Sequence, residues 1–221
     1  MKKGLCLLIC LLPLLPALAQ ETRQLAVDKP QAIADLKTNE GAAWVNAKWF
    51  VQPAHILDAD FKTPGASVND PLKLYPSGMP VRTHTLHPQI SAPDFDKGFT
   101  SIKPTDLEMR EGMGLISAAW YKVEIILPSA IGKLPVPGTT AVFEITVDDY
   151  SEIWVNGKQM KGFGQSGNGV ISGYNTRNRV ILSDNAKPGD KFTIAILGIN
   201  GPLGMIPDNY IWVRNAVVDF Y

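Results

Sequence analysis

A period-two pattern of apolar residues runs through two neighbouring stretches of the chain, residues 143–148 and 153–155. In the first stretch every second residue is apolar, and the second stretch ends at Asn156-Gly157. A period of two is typical of a strand with one buried face. Asn-Gly at the end of such a run is a strong hairpin signal. The pattern predicts antiparallel β-structure, with residues 140–155 forming one hairpin.

The same period recurs later in the chain. Alternating runs cover residues 121–125 and 192–196, a last strand is expected over residues 210–221, and one or two more are expected within 170–182. A Pro-Gly sequence at 187–190 predicts a turn. Several short strands separated by turns, with little helix, indicate an all-β antiparallel β-sandwich.

The first half of the chain has a weaker pattern. Residues 33–37 are expected to make one or two helical turns, and strand signals begin between residues 43 and 61. Residues 63–104 are rich in Pro, Gly, Ser and Asp, which predicts long loops with at most short strands. We therefore predict one sandwich domain over residues 43–221, with residues 20–42 as a short peripheral extension.

The first 19 residues have the composition of a secretory signal peptide. Two lysines are followed by an apolar run over residues 5–15 and by the small-x-small sequence Ala17-Leu18-Ala19. The apolar run is too short to span a membrane. We expect cleavage after Ala19, which predicts a secreted or periplasmic mature protein.

Charge and cysteine content narrow the classes of partner. The formal net charge of the full chain is zero, and no Lys/Arg-rich run is present. Nucleic acid and anionic membrane surfaces are therefore poor partners. Both cysteines, Cys6 and Cys10, leave with the signal peptide, so the mature chain must be stabilised by its core. Neutral ligands remain the natural class.

Three segments carry a resemblance to a known family. Residues 94–99 read Asp-Phe-Asp-Lys-Gly-Phe, residues 120–122 read Trp-Tyr-Lys, and residues 147–158 place an acidic turn before a strand that ends in Asn-Gly-Lys. Together they resemble the galactose-binding-like jelly roll, the fold of the non-catalytic sugar-binding domain of family-2 glycoside hydrolases such as β-galactosidase. Phe99 stands where Trp is usual in that family. The resemblance implies a jelly-roll fold and a sugar ligand.

Four segments resemble a narrower group. They are residues 47–49, 147–150, 198–202 and 219–221. They are similar to the N-terminal sandwich of secreted bacterial gluconolactonase-like proteins, in which a β-propeller follows. No propeller sequence follows Tyr221, so the resemblance implies that any lactonase activity of such relatives resides in a part that this sequence lacks.

Motifs for catalysis and nucleotide binding are incomplete. Residues 162–167 read Gly-Phe-Gly-Gln-Ser-Gly, but a dinucleotide-binding loop must open a helix, and here a strand pattern precedes the motif and Asn-Gly follows it. Asp148, Asp149 and Glu152 could supply the paired carboxylates of a glycosidase, yet all three lie in one predicted hairpin. We expect no catalytic residue and no cofactor.

Two pairs of aspartates are weak candidates for a structural calcium site. Asp58 and Asp60 form one pair, and Asp94 and Asp96 form the other. Their carboxylates are the hard oxygen ligands that Ca²⁺ prefers, but neither pair has EF-hand spacing. Solvated loop acids are the alternative interpretation.

Sugar binding by a β-sandwich needs an aromatic platform and planar polar side chains. Two segments offer both, one just before a predicted strand and one at the start of the last strand. The candidate ligand-binding residues are Tyr174, Asn175, Asn178, Arg179, Asn209, Trp212 and Arg214. Trp120 and Trp154 are instead assigned to packing.

The sequence therefore predicts a secreted, non-catalytic carbohydrate-binding or accessory module. The expected partner is a carbohydrate or sugar acid. A separate catalytic domain or protein is a second candidate partner. One alternative is the stand-alone N-terminal part of a gluconolactonase-like sugar-lactone hydrolase system. The other is a protein–protein adaptor without a small ligand.

Overall fold

The computed structural model describes residues 29–54, 97–110, 117–148, 150–160, 175–200 and 210–221. These residues form β-strands, one α-helix and one 3-10 helix. The strands are β1 (Ala32–Asp35), β2 (Lys48–Pro53), β3 (Thr100–Ile102), β4 (Ser117–Ile126), β5 (Ala130–Ile131), β6 (Leu134–Pro135), β7 (Ala141–Val147), β8 (Tyr150–Val155), β9 (Lys158–Gln159), β10 (Asn178–Ser183), β11 (Lys191–Asn200) and β12 (Val213–Phe220). The helices are α1 (Asn39–Trp44) and the 3-10 helix Pro104–Glu108.

Two antiparallel sheets form the body of the protein. The four-stranded sheet has the order β1-β12-β7-β10, and the six-stranded sheet has the order β3-β2-β4-β11-β8-β9. The short strands β5 and β6 pair separately. Each ladder between described strands is antiparallel. The prediction of an all-β antiparallel sandwich is confirmed.

The core lies between the two sheets. Every second side chain of each long strand enters it, as the pleat of a strand requires. The residues in between point to the outer face of each sheet. Large core side chains that are at most 1% exposed include Trp49, Val123, Ile125, Phe143, Ile145, Ile194, Ile196, Val218 and Phe220.

The chain crosses from one sheet to the other after Val147. Strand β7 pairs with β10 and β12, whereas β8 pairs with β11 and β9. The hairpin predicted over residues 140–155 is therefore wrong. Asn156 and Gly157 do form a tight turn, with φ values of 50° and 76°, but this turn joins β8 to β9. Alternation reports a buried face and does not identify the strand that lies alongside.

The helix expected over residues 33–37 is also wrong. Strand β1 occupies residues 33–35 of this segment and pairs with β12, with Ala34 opposite Val218. The helix begins later, where the Thr38 hydroxyl accepts a hydrogen bond from Gly41 N–H at 3.0 Å. Pairing with β12 outweighs the weak local helix preference. Residues 32–35 of the predicted extension are therefore a strand of the four-stranded sheet.

Other strands fall where the alternation placed them, in β4, β11 and β12. The turn at 187–190 is present, with Asp190 N–H donating to Lys187 O at 3.1 Å. No helix within the described ranges combines the length and apolar character needed to cross a membrane.

Candidate functional site

The outer face of the four-stranded sheet carries a cluster of polar side chains. It forms because polar residues occupy the outward positions of β7, β10 and β12, while their neighbours in sequence enter the core. We call this cluster the charged face. It consists of Glu144, Arg177, Arg179, Asn215, Asp219 and Tyr221.

Glu144 lies at the centre of the charged face. It stands directly opposite Arg179 in the β7–β10 ladder, and its Oε2 is 3.3 Å from Arg179 Nε. Its Oε1 is 3.6 Å from Arg177 Nε and accepts a hydrogen bond from Asn215 Nδ2 at 3.0 Å. Glu144 is only 5% exposed. One hydrogen bond and two ion pairs therefore compensate the cost of burying its charge.

Arg179 links Glu144 to the end of the last strand. Its Nη2 donates to the Tyr221 hydroxyl and lies 3.7 Å from Asp219 Oδ2. The Tyr221 hydroxyl lies 3.4 Å from the same Asp219 oxygen, to which it donates. Burial, followed by the negative charge of Glu144, raises the pKa of Asp219. Burial and the charge of Asp219 raise the pKa of Tyr221.

A second cluster adjoins the charged face through the chain neighbours Arg214 and Asn215. Asp148 Oδ2 accepts a hydrogen bond from Trp212 Nε1 at 2.8 Å and another from Arg214 Nη2 at 3.1 Å. The Arg214 guanidinium lies over the Trp212 ring, 5.0 Å from its centroid. We call Asp148, Trp212 and Arg214 the Trp212 corner. Its indole is partly exposed and is held in place at its N–H.

The structure places three of the predicted ligand-binding residues on the outer face of the four-stranded sheet, in two adjoining clusters. Arg179 belongs to the charged face, and Trp212 and Arg214 belong to the Trp212 corner. Asn178 lies elsewhere, between the two sheets, where its Nδ2 donates to Ser151 Oγ at 2.6 Å. Asn178 is therefore a contact between the sheets and is not directed to the charged face.

The remaining candidates are one described residue, Asn175, and two residues that lie outside the described ranges. Asn175 adopts a left-handed backbone conformation with φ 50°, and its Oδ1 is buried without a hydrogen-bond partner among the described residues. Tyr174 and Asn209 lie outside the part of the chain that the structure describes.

Sequence reasoning missed most of the charged face. The sequence prediction of site residues does not include Glu144, Asn215, Asp219 or Tyr221, and it includes Asp148 only as a candidate catalytic acid. A usable signal exists for Glu144 and Asp219, because each is an acidic residue with an apolar residue on both sides within a strand. Such an acid requires a partner, but the partner is known only once the strands are paired.

The outer face of the six-stranded sheet has a different character. The rings of Trp120 and Trp154 lie 5.2 Å apart, and Trp120 packs with Leu197 in an apolar cluster. The assignment of both tryptophans to packing is confirmed. Glu152 lies on this face and is 4% exposed, and burial raises its pKa to about 7. Because this face is largely buried, the charged face is the better candidate for ligand binding.

No group of three or more His, Cys, Asp or Glu residues that could hold a metal ion occurs within the described ranges. Asp58, Asp60, Asp94 and Asp96 lie outside those ranges. The structural calcium site therefore stays a prediction.

Comparisons with known proteins give distant neighbours. No protein-family model and no curated protein matches the chain. Among solved structures, it is similar to a candidate β-galactosidase from Bacteroides fragilis, at 15% identity and a TM-score of 0.37, covering 77% of this chain and 22% of that one. A glycosyl hydrolase family 2 member from Bacteroides cellulosilyticus DSM 14838 gives 14% identity and a TM-score of 0.37, covering 78% of this chain and 20% of that one.

A third similar structure is a β-glucosidase from Kluyveromyces marxianus in complex with glucose. The identity is 10% and the TM-score 0.31, covering 77% of this chain and 15% of that one. The chain thus spans about a fifth of the length of these enzymes or less. At this level of likeness, the fold assignment depends on the strand pairing described above, and the function must be argued from the site.

Proposed function

We propose that this protein is a carbohydrate-binding β-sandwich that breaks no bonds itself, and that the charged face with the Trp212 corner is its binding surface. The observation that carries the proposal is a partly exposed indole that lies against the Arg214 guanidinium, on the sheet face that also carries the Asn215 amide and the Tyr221 hydroxyl. A pyranose ring offers apolar C–H faces and a ring of hydroxyl groups. An indole suits the former and planar polar side chains suit the latter.

The side chains of this surface hold one another in place. Asp148 binds both Trp212 and Arg214 through a single carboxylate oxygen. Glu144 contacts Arg179 and Asn215. Groups that are already ordered lose less conformational entropy when a ligand arrives. The network therefore lowers the entropic cost of binding a hydroxyl-rich ligand that makes only weak contacts.

The contacts of the buried carboxylates support a non-catalytic role. A glycosidase needs one carboxyl group as acid and another as nucleophile or base, both open to the substrate. Glu144 and Asp219 are 5% and 6% exposed, and both lie next to Arg179. We expect these acids to orient Arg179 and not to attack a sugar.

The binding test uses the full chain in a glycan array followed by calorimetric titration with the best ligand. Trp212→Ala should weaken binding by about tenfold or more, equivalent to about 1.4 kcal/mol. Arg214→Ala should also weaken it. Trp44→Ala is the matched control, because Trp44 is 38% exposed but lies on α1 outside the site. Absence of glycan binding, or equal losses in the Trp212 and Trp44 variants, would refute the proposal.

The enzymatic alternative has its own test. The purified chain is assayed for hydrolysis of sugar lactones and of aryl galactosides. We expect no turnover above the uncatalysed rate. Turnover that disappears in the Asp219→Asn variant would overturn the non-catalytic part of the proposal.

We also propose that the protein is exported and loses residues 1–19. The basic start, short apolar run and cleavage-type sequence support this. N-terminal sequencing of the protein recovered from the periplasm or medium should begin at Gln20. A protein that keeps Met1 in the cytoplasm would contradict it.

A further inference from the structure

We infer that the ligand of this surface is a sugar that carries a carboxylate, such as a uronic acid residue or an aldonate, and that Arg177 binds the carboxylate. The inference rests on the proposed function, because it names the ligand class of the same site. It follows from how far the carboxylates and the guanidinium groups of the site each lie below the protein surface.

The carboxylates of the site lie deep and the guanidinium groups lie nearer to solvent. The side chains of Glu144 and Asp219 are 7% and 8% exposed, and that of Asp148 is 14% exposed. The side chains of Arg177 and Arg214 are 76% and 41% exposed. The three carboxylates balance the guanidinium groups of Arg177, Arg179 and Arg214 in formal charge. A ligand that approaches from solvent nevertheless meets the cations first. A ligand anion therefore gains more from the arginines than it loses to the acids.

Glu144 cannot neutralise all the cations around it. Its Oε2 is 3.3 Å from Arg179 Nε, and its Oε1 already accepts from Asn215 Nδ2 at 3.0 Å. Arg177 Nε is the most distant of these three groups, at 3.6 Å from Oε1. One carboxylate is thus shared between two guanidinium groups and an amide. The positive charge of Arg177 is the least compensated.

Arg177 also has the geometry to bind a carboxylate. In the described part of the chain its contact is made through Nε, and its terminal nitrogens have no protein partner there. A guanidinium presents its donors as a planar fork that matches the two oxygens of a carboxylate. A neutral sugar fills the same space with hydroxyl groups but lacks the charge. The site should therefore prefer the acid to its neutral counterpart.

The test measures calorimetric affinity of the full chain for matched ligands. The pairs are galacturonate with galactose, glucuronate with glucose, and gluconate with glucitol, and acetate represents a carboxylate without a sugar. We expect at least one acid to bind about tenfold tighter than its neutral counterpart. Methyl esterification of a uronate should abolish the preference, and added salt should reduce it.

Variants locate the charge that is responsible. Arg177→Gln should remove the preference for the acid, because it should weaken binding of the acid more than binding of the neutral sugar. Arg177→Lys should keep part of the preference, because the charge remains and the fork is lost. Lys158→Gln is the matched control, since it removes an exposed cation from β9 in the other sheet. Both arginine changes are at an exposed side chain, so folding should be preserved.

The outcomes separate the two claims. Equal affinity for acid and neutral sugars overturns the inference and leaves the proposed carbohydrate binding intact. Acetate binding as tightly as galacturonate, with no neutral sugar bound, overturns both, because the site would then recognise an anion without its sugar. A preference that survives Arg177→Gln overturns the role of Arg177.

Discussion

Glu152 makes the stability of this protein depend on pH. It lies opposite Leu197 in the β8–β11 ladder and is 4% exposed. Burial raises its pKa from 4.5 to about 7. Between these two values the folded protein keeps a proton that the unfolded chain has released. The contribution of Glu152 to the free energy of unfolding is therefore fully present below about pH 4.5 and is lost as the pH rises through about 7.

The size of the effect follows from the two pKa values. They differ by about 2.5, and each unit corresponds to 1.36 kcal/mol, so the full loss is about 3 kcal/mol. Most of it, roughly 2 kcal/mol, falls between about pH 5 and about pH 8. The raised pKa of Asp219 acts in the same direction, because Asp219 is also buried. The contribution of Glu152 must therefore be isolated by substitution.

Urea unfolding of wild type and of Glu152→Gln at about pH 5 and about pH 8 isolates the contribution of Glu152. The substitution should remove roughly 2 kcal/mol of the pH dependence and should make the protein more stable than wild type at the higher pH. The exposed Glu40→Gln variant is the control and should behave as wild type. If Glu152→Gln loses as much stability as wild type over this range, Glu152 does not carry a raised pKa and the reasoning fails.

Two further substitutions test the packing between the sheets. Gly198→Ala should cost about 1–3 kcal/mol of unfolding free energy, because the added methyl carbon would lie 2.6 Å from Ile211 Cδ1 and 2.9 Å from Val147 Cγ1. Adding Ile211→Val should recover part of this loss in chemical denaturation; no recovery would contradict the overlap. Asn178→Ala should cost about 1–3 kcal/mol, since it leaves the Ser151 hydroxyl without its partner. The double variant with Ser151→Ala should cost less than the sum of the single changes, and strictly additive losses would show that the two groups do not interact.

The candidate site could be predicted only in part. Arg179, Trp212 and Arg214 were found because their side-chain types suit a sugar and because they lie in or near a predicted strand. Glu144 and Asp219 could not be predicted as a pair, because they are 75 residues apart in the chain and meet only when their strands join the same sheet. The type of a residue is known from the sequence alone and can suggest a function. Whether several residues form a cluster depends on the register between strands that are distant in the chain.

The sequence by itself determined the fold class. Alternation of apolar and polar side chains is a local property, because successive side chains of a strand point to opposite faces whatever the partner is. The positions of β4, β11 and β12 and the turn at Asn156-Gly157 could therefore be predicted from neighbouring residues alone.

Only the tertiary structure decided which strands pair and what lies on each face. Strands β7 and β8 have the pattern of a hairpin yet belong to opposite sheets, and residues 32–35 form a strand because β12 offers an edge to pair with. The depth of Glu144 beneath Arg177 has the same origin. Backbone pairing and burial are gained between segments that are far apart in the chain, so the free energy that selects the partner is absent from any local window.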